Sequence, residues 1–342
     1  MKPGFVFEGP PMKTVLFSLV AVVGSYGVIH GQARPALIPV QVELITRAVS
    51  KTPVLVAYDK GLYEKYGLNV TLWLPPGEFP GAIETGPRLE RPEFSVDGGV
   101  PMVTAILRGA GPRRLTIAST DCQVRFNIVG QKNIKTLAEL KGKRLGISND
   151  GAMTGFIYRV LAKRMGWTPG KDITIVEQAQ RFEDLKAGKA DAFVADDRYM
   201  ALARAEGYPV LADTSAWKQA IAGNGVRVEP DWIKDPKNRD IATRFLKATI
   251  EGMAIYMINR EETLRVLAKY HGITDRAVAN GIYEEGLKMT RNIEPCAQGF
   301  RDMFTLGYAG IDKYKPTDFY DDSFIRELDR SGFIASAYKT AR

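Results

Sequence analysis

The chain has 342 residues, of which 45% are hydrophobic and 25% are charged, with a formal net charge of +8. This length allows two domains of ordinary size, and the composition is that of a globular protein. The basic residues are scattered, without a basic stripe, a zinc-ligand spacing or a recognition-helix signature, so nucleic acid is excluded as an expected partner.

Residues 1–33 have the pattern of a secretory signal peptide. Lys2 and Lys13 precede an uncharged apolar run, residues 14–29, and small residues occupy the two positions that signal peptidase reads before the bond after Ala33. We expect cleavage there and export of the remaining chain. The alternative is an uncleaved anchor, although the apolar run is shorter than the roughly 20 residues that span a bilayer.

The next part of the chain has the pattern of a parallel βαβ unit. Alternating apolar residues predict a strand from Val40, and Thr52 is a good N-cap for a helix that follows. A second strand is predicted at 68–72, a third at 94–96, and another helix from Pro101. Helices that connect parallel strands in this order indicate an α/β sheet.

The middle of the chain repeats this plan. Strands are predicted at 142–148, 171–178 and 190–197, with a helix that ends at Gly166 and a short helix within 181–189. Each copy ends with a strand that stops at aspartate. Two copies of one design predict two similar α/β lobes with a cleft between them.

Extended segments connect the two copies, at 116–131 and 221–232, and they are candidate crossovers between the lobes. We predict a discontinuous first lobe of residues 34–126 and 229–342, and a second lobe of residues 127–228. Closure would then occur about hinges near 126–130 and 223–228. The final third has helical periodicity, and its aromatic and Met positions indicate core rather than a cofactor site.

Few residues are available for catalysis or metal binding. Cys122 and Cys296 are the only cysteines, and they either pair or remain free thiols. His271 is the only histidine after the predicted signal peptide, so a Ser/His/Asp triad or a His-rich metal site would depend on it alone. We therefore predict no catalytic residue, no metal and no cofactor.

Four stretches in this order resemble a known family: TPVLVAYDKGLYEKYGLNVTL from Thr52, IKTLAELKGKRLGIS from Ile134, GWTPGKDITIV from Gly166 and DLKAGKADAFVADD from Asp184. They are similar to the periplasmic substrate-binding proteins of ABC importers for sulfonates, nitrate and thiamine-pyrimidine precursors. The likeness covers about Val40 to Ile258.

This resemblance implies the type II periplasmic binding protein fold, with two Rossmann-like α/β lobes joined by two hinge strands. It also implies a monomeric periplasmic protein that captures a small molecule and delivers it to a permease and ATPase in the inner membrane. A Pro- and charge-rich insertion at 86–97 departs from the family pattern.

Two alternatives remain. One is an enzyme on the same fold, of the pyrimidine-precursor or menaquinone-pathway type, but the histidine near the first helix and the Cys-rich motif of the pyrimidine synthases are absent. The other is a binding protein that reports to a membrane receptor. The predicted secretion signal favours a binding protein over an enzyme of cytoplasmic intermediates.

Ligands of open α/β sheets bind outside the carboxyl ends of the strands, where helix N-termini converge. The charges at the predicted site do not decide the class of ligand, because helix dipoles and a lysine favour an anion whereas three aspartates oppose one. Sulfonate, nitrate, carboxylate, aromatic acid and heterocycle all remain candidates. Applied to both copies, the strand-end rule predicts fourteen ligand-binding residues: Ser50, Lys51, Thr52, Gly98, Gly99, Val100, Asn149, Gly151, Ala152, Met153, Thr154, Asp196, Asp197 and Arg198.

Overall fold

Strands of the described chain form two five-stranded mixed sheets. The computed structural model describes residues 1, 3, 4, 9, 36–77 and 80–341, without the side chains of residues 197 and 201, so the predicted signal peptide lies almost entirely outside the described residues. The strands are β1 (Ile38–Leu44), β2 (Leu68–Trp73), β3 (Phe94–Gly98), β4 (Leu115–Ser119), β5 (Asn127–Gly130), β6 (Arg144–Gly146), β7 (Thr174–Val176), β8 (Ala192–Ala195), β9 (Val210–Asp213) and β10 (Asn224–Val228).

Helices cover the sheets and form most of the C-terminal third. None of those described has the length and apolar character needed to cross a membrane. They are α1 (Thr52–Asp59), α2 (Leu62–Lys65), α3 (Gly99–Leu107), α4 (Met153–Met165), α5 (Phe182–Lys186), α6 (Asp197–Ala205), α7 (Pro236–Ile258), α8 (Arg260–His271), α9 (Arg276–Gly286), α10 (Ala297–Met303), α11 (Ser323–Arg330) and α12 (Phe333–Thr340).

The two sheets have the same strand arrangement. The first has the order β2-β1-β3-β10-β4 and the second β7-β6-β8-β5-β9. In each, three parallel strands are followed by one antiparallel strand, β10 or β5, that comes from the other side of a crossover. The predicted pair of similar α/β sheets is confirmed.

Each sheet has its own apolar core. Val42 and Leu44 of β1 are fully buried with α7 residues such as Phe245, which stacks on Phe94 with ring centroids 4.2 Å apart. The second core contains Phe156 of α4 but also Val100 and other residues of α3. This second core therefore connects a helix of the first sheet to the second sheet.

Two crossovers, residues 120–126 and 214–223, join the sheets and run beside each other. Val124 N donates to Gln219 O at 3.0 Å, and Ile221 N donates to Cys122 O at 3.1 Å.

The predicted hinges and lobe limits differ from the positions of these crossovers. The predicted hinge ranges, 126–130 and 223–228, lie mostly within β5 and β10, just after each crossover. The predicted second lobe, 127–228, also includes β10, which belongs to the first sheet because it pairs with β3 and β4.

Candidate functional site

A cleft of about 200 Å³ lies between the carboxyl ends of strands from both sheets. Segments after β1, β6, β7 and β8 contribute to its wall, as the strand-end rule for open α/β sheets predicts. The lining residues are Thr46, Arg47, Ala48, Phe126, Ser148, Thr154, Gln180, Arg181, Val194, Asp196, Arg198 and Tyr199.

On the second sheet, charged groups from α6 border the cleft. Asp196 caps α6 by accepting from Tyr199 N at 2.9 Å, and its other carboxylate oxygen is 3.4 Å from Arg198 Nη2. The Arg198 guanidinium also lies over the Tyr199 ring, 4.4 Å from its centroid. Asp196 thus orients a guanidinium beside the cleft.

Gln180 and Arg181 follow β7 and add a second group to this side. The Gln180 side-chain oxygen is buried and has no hydrogen-bond partner within the described part of the chain. Arg181 is exposed and forms no ion pair with another described residue. An amide and a guanidinium are therefore available here to a bound molecule.

The start of α4 contributes two hydroxyl groups. Ser148 Oγ and Thr154 Oγ1 are 2.8 Å apart, and Thr154 Oγ1 accepts from Ser148 N at 3.0 Å. Helix N-termini carry N–H groups without intrahelical partners and favour anions. The segment after β6 is thus suited to polar or anionic groups.

On the first sheet, Arg47 is fixed to its surroundings. Its guanidinium donates to the backbone oxygens of Pro75, Ile83 and Tyr270 and lies 3.7 Å from the Glu84 carboxylate. Burial lowers the pKa of Arg47, and the charge of Glu84 opposes this. Arg47 is held rigidly at the cleft and keeps its positive charge.

Lys51, a predicted ligand-binding residue, is buried beneath the cleft and does not line its wall. It is 0% exposed and donates to Thr46 Oγ1 at 2.7 Å, Thr46 O at 3.0 Å and Asp97 Oδ1 at 3.3 Å. Burial lowers its pKa to about 8, and the charge of Asp97 opposes this. Lys51 therefore positions Thr46, which does line the cleft.

Asp97 also contacts Arg227, at 2.9 Å. Burial alone would raise the pKa of Asp97, but the charges of Lys51 and Arg227 outweigh it and hold the pKa below its usual value. The carboxylate thus pairs with two buried cations, and these charges are used within the first sheet.

Thr52 and Ser50 are buried too and do not line the cleft, so the predicted contact of the α1 start with ligand stays a prediction. Thr52 Oγ1 lies 2.6 Å from Val49 O and 3.2 Å from His271 Nε2, and Ser50 Oγ accepts from Asn224 Nδ2 at 2.7 Å. These side-chain groups have partners inside the protein.

His271 is buried against the segment that follows β1. It is the last residue of α8, and its Nδ1 lies 3.1 Å from Arg47 O. Burial and the nearby charge of Arg47 lower the pKa of His271 to about 3, so the ring is neutral. It holds the segment 47–52 in place.

The N–H groups at the start of α3 donate hydrogen bonds to backbone oxygens of the second crossover. Gly99 N donates to Gly223 O at 2.8 Å and Val100 N to Ala222 O at 3.1 Å. The N–H groups that were expected to meet a ligand are therefore used, and Gly98, Gly99 and Val100 do not line the cleft.

Residues 149–153 do not line the cleft, and two of them contact α3 and the end of β3. Gly151 O accepts from Thr104 Oγ1 at 2.7 Å, and Asn149 Oδ1 accepts from Gly151 N. A Cβ on Gly98 would lie 2.8 Å from Met153 Sδ, so these two residues are in close contact. Ala152 is the N-cap of α4.

Of the fourteen predicted residues, Thr154, Asp196 and Arg198 line the cleft. Asp197 begins α6, and its side chain lies outside the described atoms. Gln180 and Arg181 were missed because the strand-end rule was not applied to β7, although that strand was predicted. The positions just after β1 were missed because the site was expected one helical turn later.

A metal centre is not evident. No group of three or more His, Cys, Asp or Glu residues in the described ranges is arranged to hold a metal ion.

A sequence model described as NMT1/THI5 like matches residues 49–263 of the chain. A comparison with curated protein sequences finds no match.

Several solved structures share the fold at low sequence identity. The periplasmic nitrate-binding protein of Synechocystis is 15% identical, with a TM-score of 0.66, and the match covers 86% of this chain and 89% of that one. A putative periplasmic sulfonate-binding protein of Methylobacillus flagellatus is 16% identical, with a TM-score of 0.63 and coverage of 87% and 96%. The predicted periplasmic binding protein fold is confirmed.

An enzyme has this fold as well. A desulfurization enzyme is 14% identical, with a TM-score of 0.56, and the match covers 89% of this chain and 100% of that chain.

Proposed function

The chain belongs to the NMT1/THI5-like family, and on this premise we propose that it is an extracytoplasmic solute-binding protein that delivers a small anionic molecule to an ABC permease. The observation that carries the proposal is the charge of the cleft. Three arginines and one aspartate line it; Arg47 lies near Glu84 and Arg198 near Asp196, whereas Arg181 has no acidic partner among the described residues, so the lining keeps a net positive charge. The nitrate- and sulfonate-binding proteins with this fold support the same class of ligand.

Each side of the cleft has a distinct role in this proposal. Arg47 supplies a fixed charge from the first sheet, and Arg181 supplies an exposed one from the second. Ser148 and Thr154 supply hydroxyl groups, and Gln180 supplies an amide N–H, for hydrogen bonds that orient the anionic group. Charge-assisted hydrogen bonds are stronger than neutral ones, so the arginines contribute most of the polar binding energy.

The residues that line the cleft favour a protein that binds its ligand without changing it chemically. Among the described residues, its wall contains no histidine, cysteine or lysine. His271 is buried behind the cleft with a pKa near 3, which is unsuited to a base at neutral pH. The desulfurization enzyme shows that this fold also supports catalysis, so the test must examine the compound after binding.

Delivery requires the two sheets to move as lobes about the crossovers 120–126 and 214–223. A ligand that contacts both sides binds the closed arrangement better than the open one and shifts the equilibrium toward it. The permease would then recognise the closed lobes, and an ATPase would drive release.

Export is part of this proposal. The predicted signal peptide supports a periplasmic location after cleavage behind Ala33, which N-terminal sequencing of the exported protein tests.

The first experiment identifies the ligand and its charge. Mass spectrometry of compounds released from purified, denatured protein is combined with thermal melting in nitrate, an alkanesulfonate, an aromatic carboxylate and the neutral sulfonamide of the same alkyl chain. We expect at least one anion to be bound, to raise the melting temperature and to be recovered unchanged. Equal binding of the neutral sulfonamide would overturn the anionic ligand, and recovery of an altered compound would indicate an enzyme.

A matched pair of variants then tests the cleft. Arg181→Gln removes an exposed charge there, whereas Arg330→Gln removes an exposed arginine at the end of α11. Loss of one charge-assisted hydrogen bond costs about 1.5–3 kcal/mol, so Arg181→Gln should weaken the dissociation constant by roughly 10- to 100-fold. Calorimetric titration should show no change for Arg330→Gln, and equal affinities in both variants would contradict the site.

A further inference from the structure

Two cysteines that are far apart in the sequence lie together at the crossover between the sheets. Cys122 belongs to the first crossover, and Cys296 is the N-cap of α10, 174 residues later. Cys296 Sγ is 3.3 Å from Cys122 O, and Cys122 Sγ is 3.8 Å from Glu294 O. Each sulfur thus lies against the backbone of the other cysteine's segment.

Three backbone hydrogen bonds fix the segments around this pair of cysteines. Ser119 N donates to Ile293 O at 2.8 Å, Thr290 N donates to Thr120 O at 3.3 Å, and the second crossover bonds to Cys122 O. The segments approach so closely that a Cβ on Gly299 would lie 2.1 Å from the carbonyl carbon of Ile221. The two cysteines are therefore kept beside each other by the fold.

We propose that Cys122 and Cys296 form a disulfide in the folded protein by exchange with a disulfide-bearing oxidant, so that the first crossover becomes covalently tied to the segment before α10. This site of oxidative modification is independent of the proposed function, because it requires no ligand and lies outside the lining of the cleft.

The two thiols differ in access. Cys122 is partly exposed, whereas Cys296 is buried. In the first exchange, the Cys122 thiolate attacks one sulfur of the oxidant, forms a mixed disulfide and releases one thiolate. In the second, the Cys296 thiolate attacks the Cys122 sulfur and releases the other thiolate. Two protein thiols are oxidised, and one oxidant disulfide is reduced to two thiols that take up the protons.

The surroundings of Cys296 suit the second step. A hydrogen bond from Cys122 holds the pKa of Cys296 below its usual value, and the N–H groups of Gly299 and Ile221 add to this effect against the cost of burial. The same contact, together with burial, raises the pKa of Cys122. Since Cys122 is the more accessible thiol, it meets the oxidant first and Cys296 is the resolving thiol.

The experiment uses the full purified chain without added ligand. One sample is incubated with oxidised glutathione at pH 8 and another with dithiothreitol, and both are analysed by thiol titration, non-reducing peptide mapping and thermal melting. We expect the loss of two thiols together and one cross-linked pair of peptides that contain Cys122 and Cys296. The closed loop is long, so the melting temperature should rise by roughly 5–10 °C and return on reduction.

Two single variants separate the steps. In Cys296→Ser, Cys122 should accumulate a glutathione adduct, because the resolving thiol is gone. In Cys122→Ser, the buried Cys296 should stay unmodified while the protein is folded. Melting under reducing conditions confirms that each variant is folded, and Cys→Ala replaces a variant that is not.

Three results would overturn the proposal: a stable glutathione adduct on Cys122 of the unaltered chain, a cross-link that forms only after denaturation, or two thiols that resist oxidation while folded. Ligand binding measured in the same reduced samples tests the proposed function separately.

Discussion

On the first sheet, the polar side chains of residues 50–52 and of Asp97 at the end of β3 are buried and bonded inside the protein, whereas polar side chains that follow β6, β7 and β8 on the second sheet border the cleft. Lys51 and Asp97 illustrate the first group, and Thr154, Arg181 and Arg198 the second. Equivalent positions in two similar sheets thus have different roles. A strand end supplies a location for a site, but the surrounding elements decide whether its polar groups remain available.

The difference arises from what is added to the first sheet. The C-terminal helices pack on it, and α8 ends at His271, whose ring lies against Thr52 and the backbone of Arg47. The second crossover supplies the oxygens that accept from the start of α3. The strand ends after β6, β7 and β8 instead keep polar side chains in the lining of the cleft.

The strongest test of this contrast is Asp97→Asn. The substitution preserves shape but leaves Lys51 and Arg227 as buried cations without their carboxylate. Breaking a buried ion pair by removing one partner costs about 3–5 kcal/mol, so the free energy of unfolding in urea should fall by that amount. Asp231→Asn is the control, because Asp231 and its partner Lys234 are exposed, and no measurable change is expected. A stable Asp97→Asn protein would contradict the internal role of these charges.

The pH dependence of stability gives the next largest effect. The pKa of His271 is about 3 when folded, against roughly 6.5 in an unfolded chain. The unfolded state therefore binds more protons between these values, and stability falls as the pH is lowered through this window. From pH 7 to pH 5, His271 should contribute a loss of about 2 kcal/mol.

Urea unfolding at the two pH values checks this effect against His271→Gln. The variant should be less stable at pH 7 but should lose less stability on acidification. An identical loss in both proteins would mean that His271 is accessible to protons in the fold.

The smallest effects are expected from threonine substitutions at the starts of α1 and α4. Thr52→Val removes a hydroxyl that is bonded inside the first sheet, so we expect about 1 kcal/mol less stability and an unchanged affinity for ligand. Thr154→Val removes a hydroxyl at the cleft, where a lost ligand hydrogen bond of about 1 kcal/mol weakens binding roughly fivefold. Thermal melting beside calorimetric titration separates the two. A loss of affinity at Thr52 alone would reverse the contrast.

Much of the fold was predictable because apolar periodicity and helix-end signals are local. Residues Val40, Val42 and Leu44 alternate, and all three are buried in β1 as expected. The segment 116–131 was harder, because it is extended throughout, yet β4 and β5 within it belong to different sheets. The local sequence does not show which of the distant strands pair with each other. The helix predicted from Pro101 begins two residues earlier, since proline is tolerated throughout the first turn.

The site was predictable only in part for a related reason. The strand-end rule located the cleft region and three lining residues, Thr154, Asp196 and Arg198. The sequence could not show which polar groups already have hydrogen-bond partners inside the protein. Thr52, for example, is bonded to His271, 219 residues away. At such positions the polar groups already have partners from the C-terminal helices, and the predicted ligand contacts there stay predictions.

The position of β10 within the first sheet constrains the order of folding. All five strands of the second sheet lie between residues 127 and 213, so that sheet can assemble from one continuous stretch. In the first sheet, β10 lies between β3 and β4, and β4 is the edge strand beyond it. The first sheet therefore cannot close until residue 228 is available, and its non-local pairing is intrinsically slow. When the chain is synthesised from its N-terminus, the second sheet can therefore be completed first. Strands β1 to β4 of the first sheet are made earlier but remain without β10 until then.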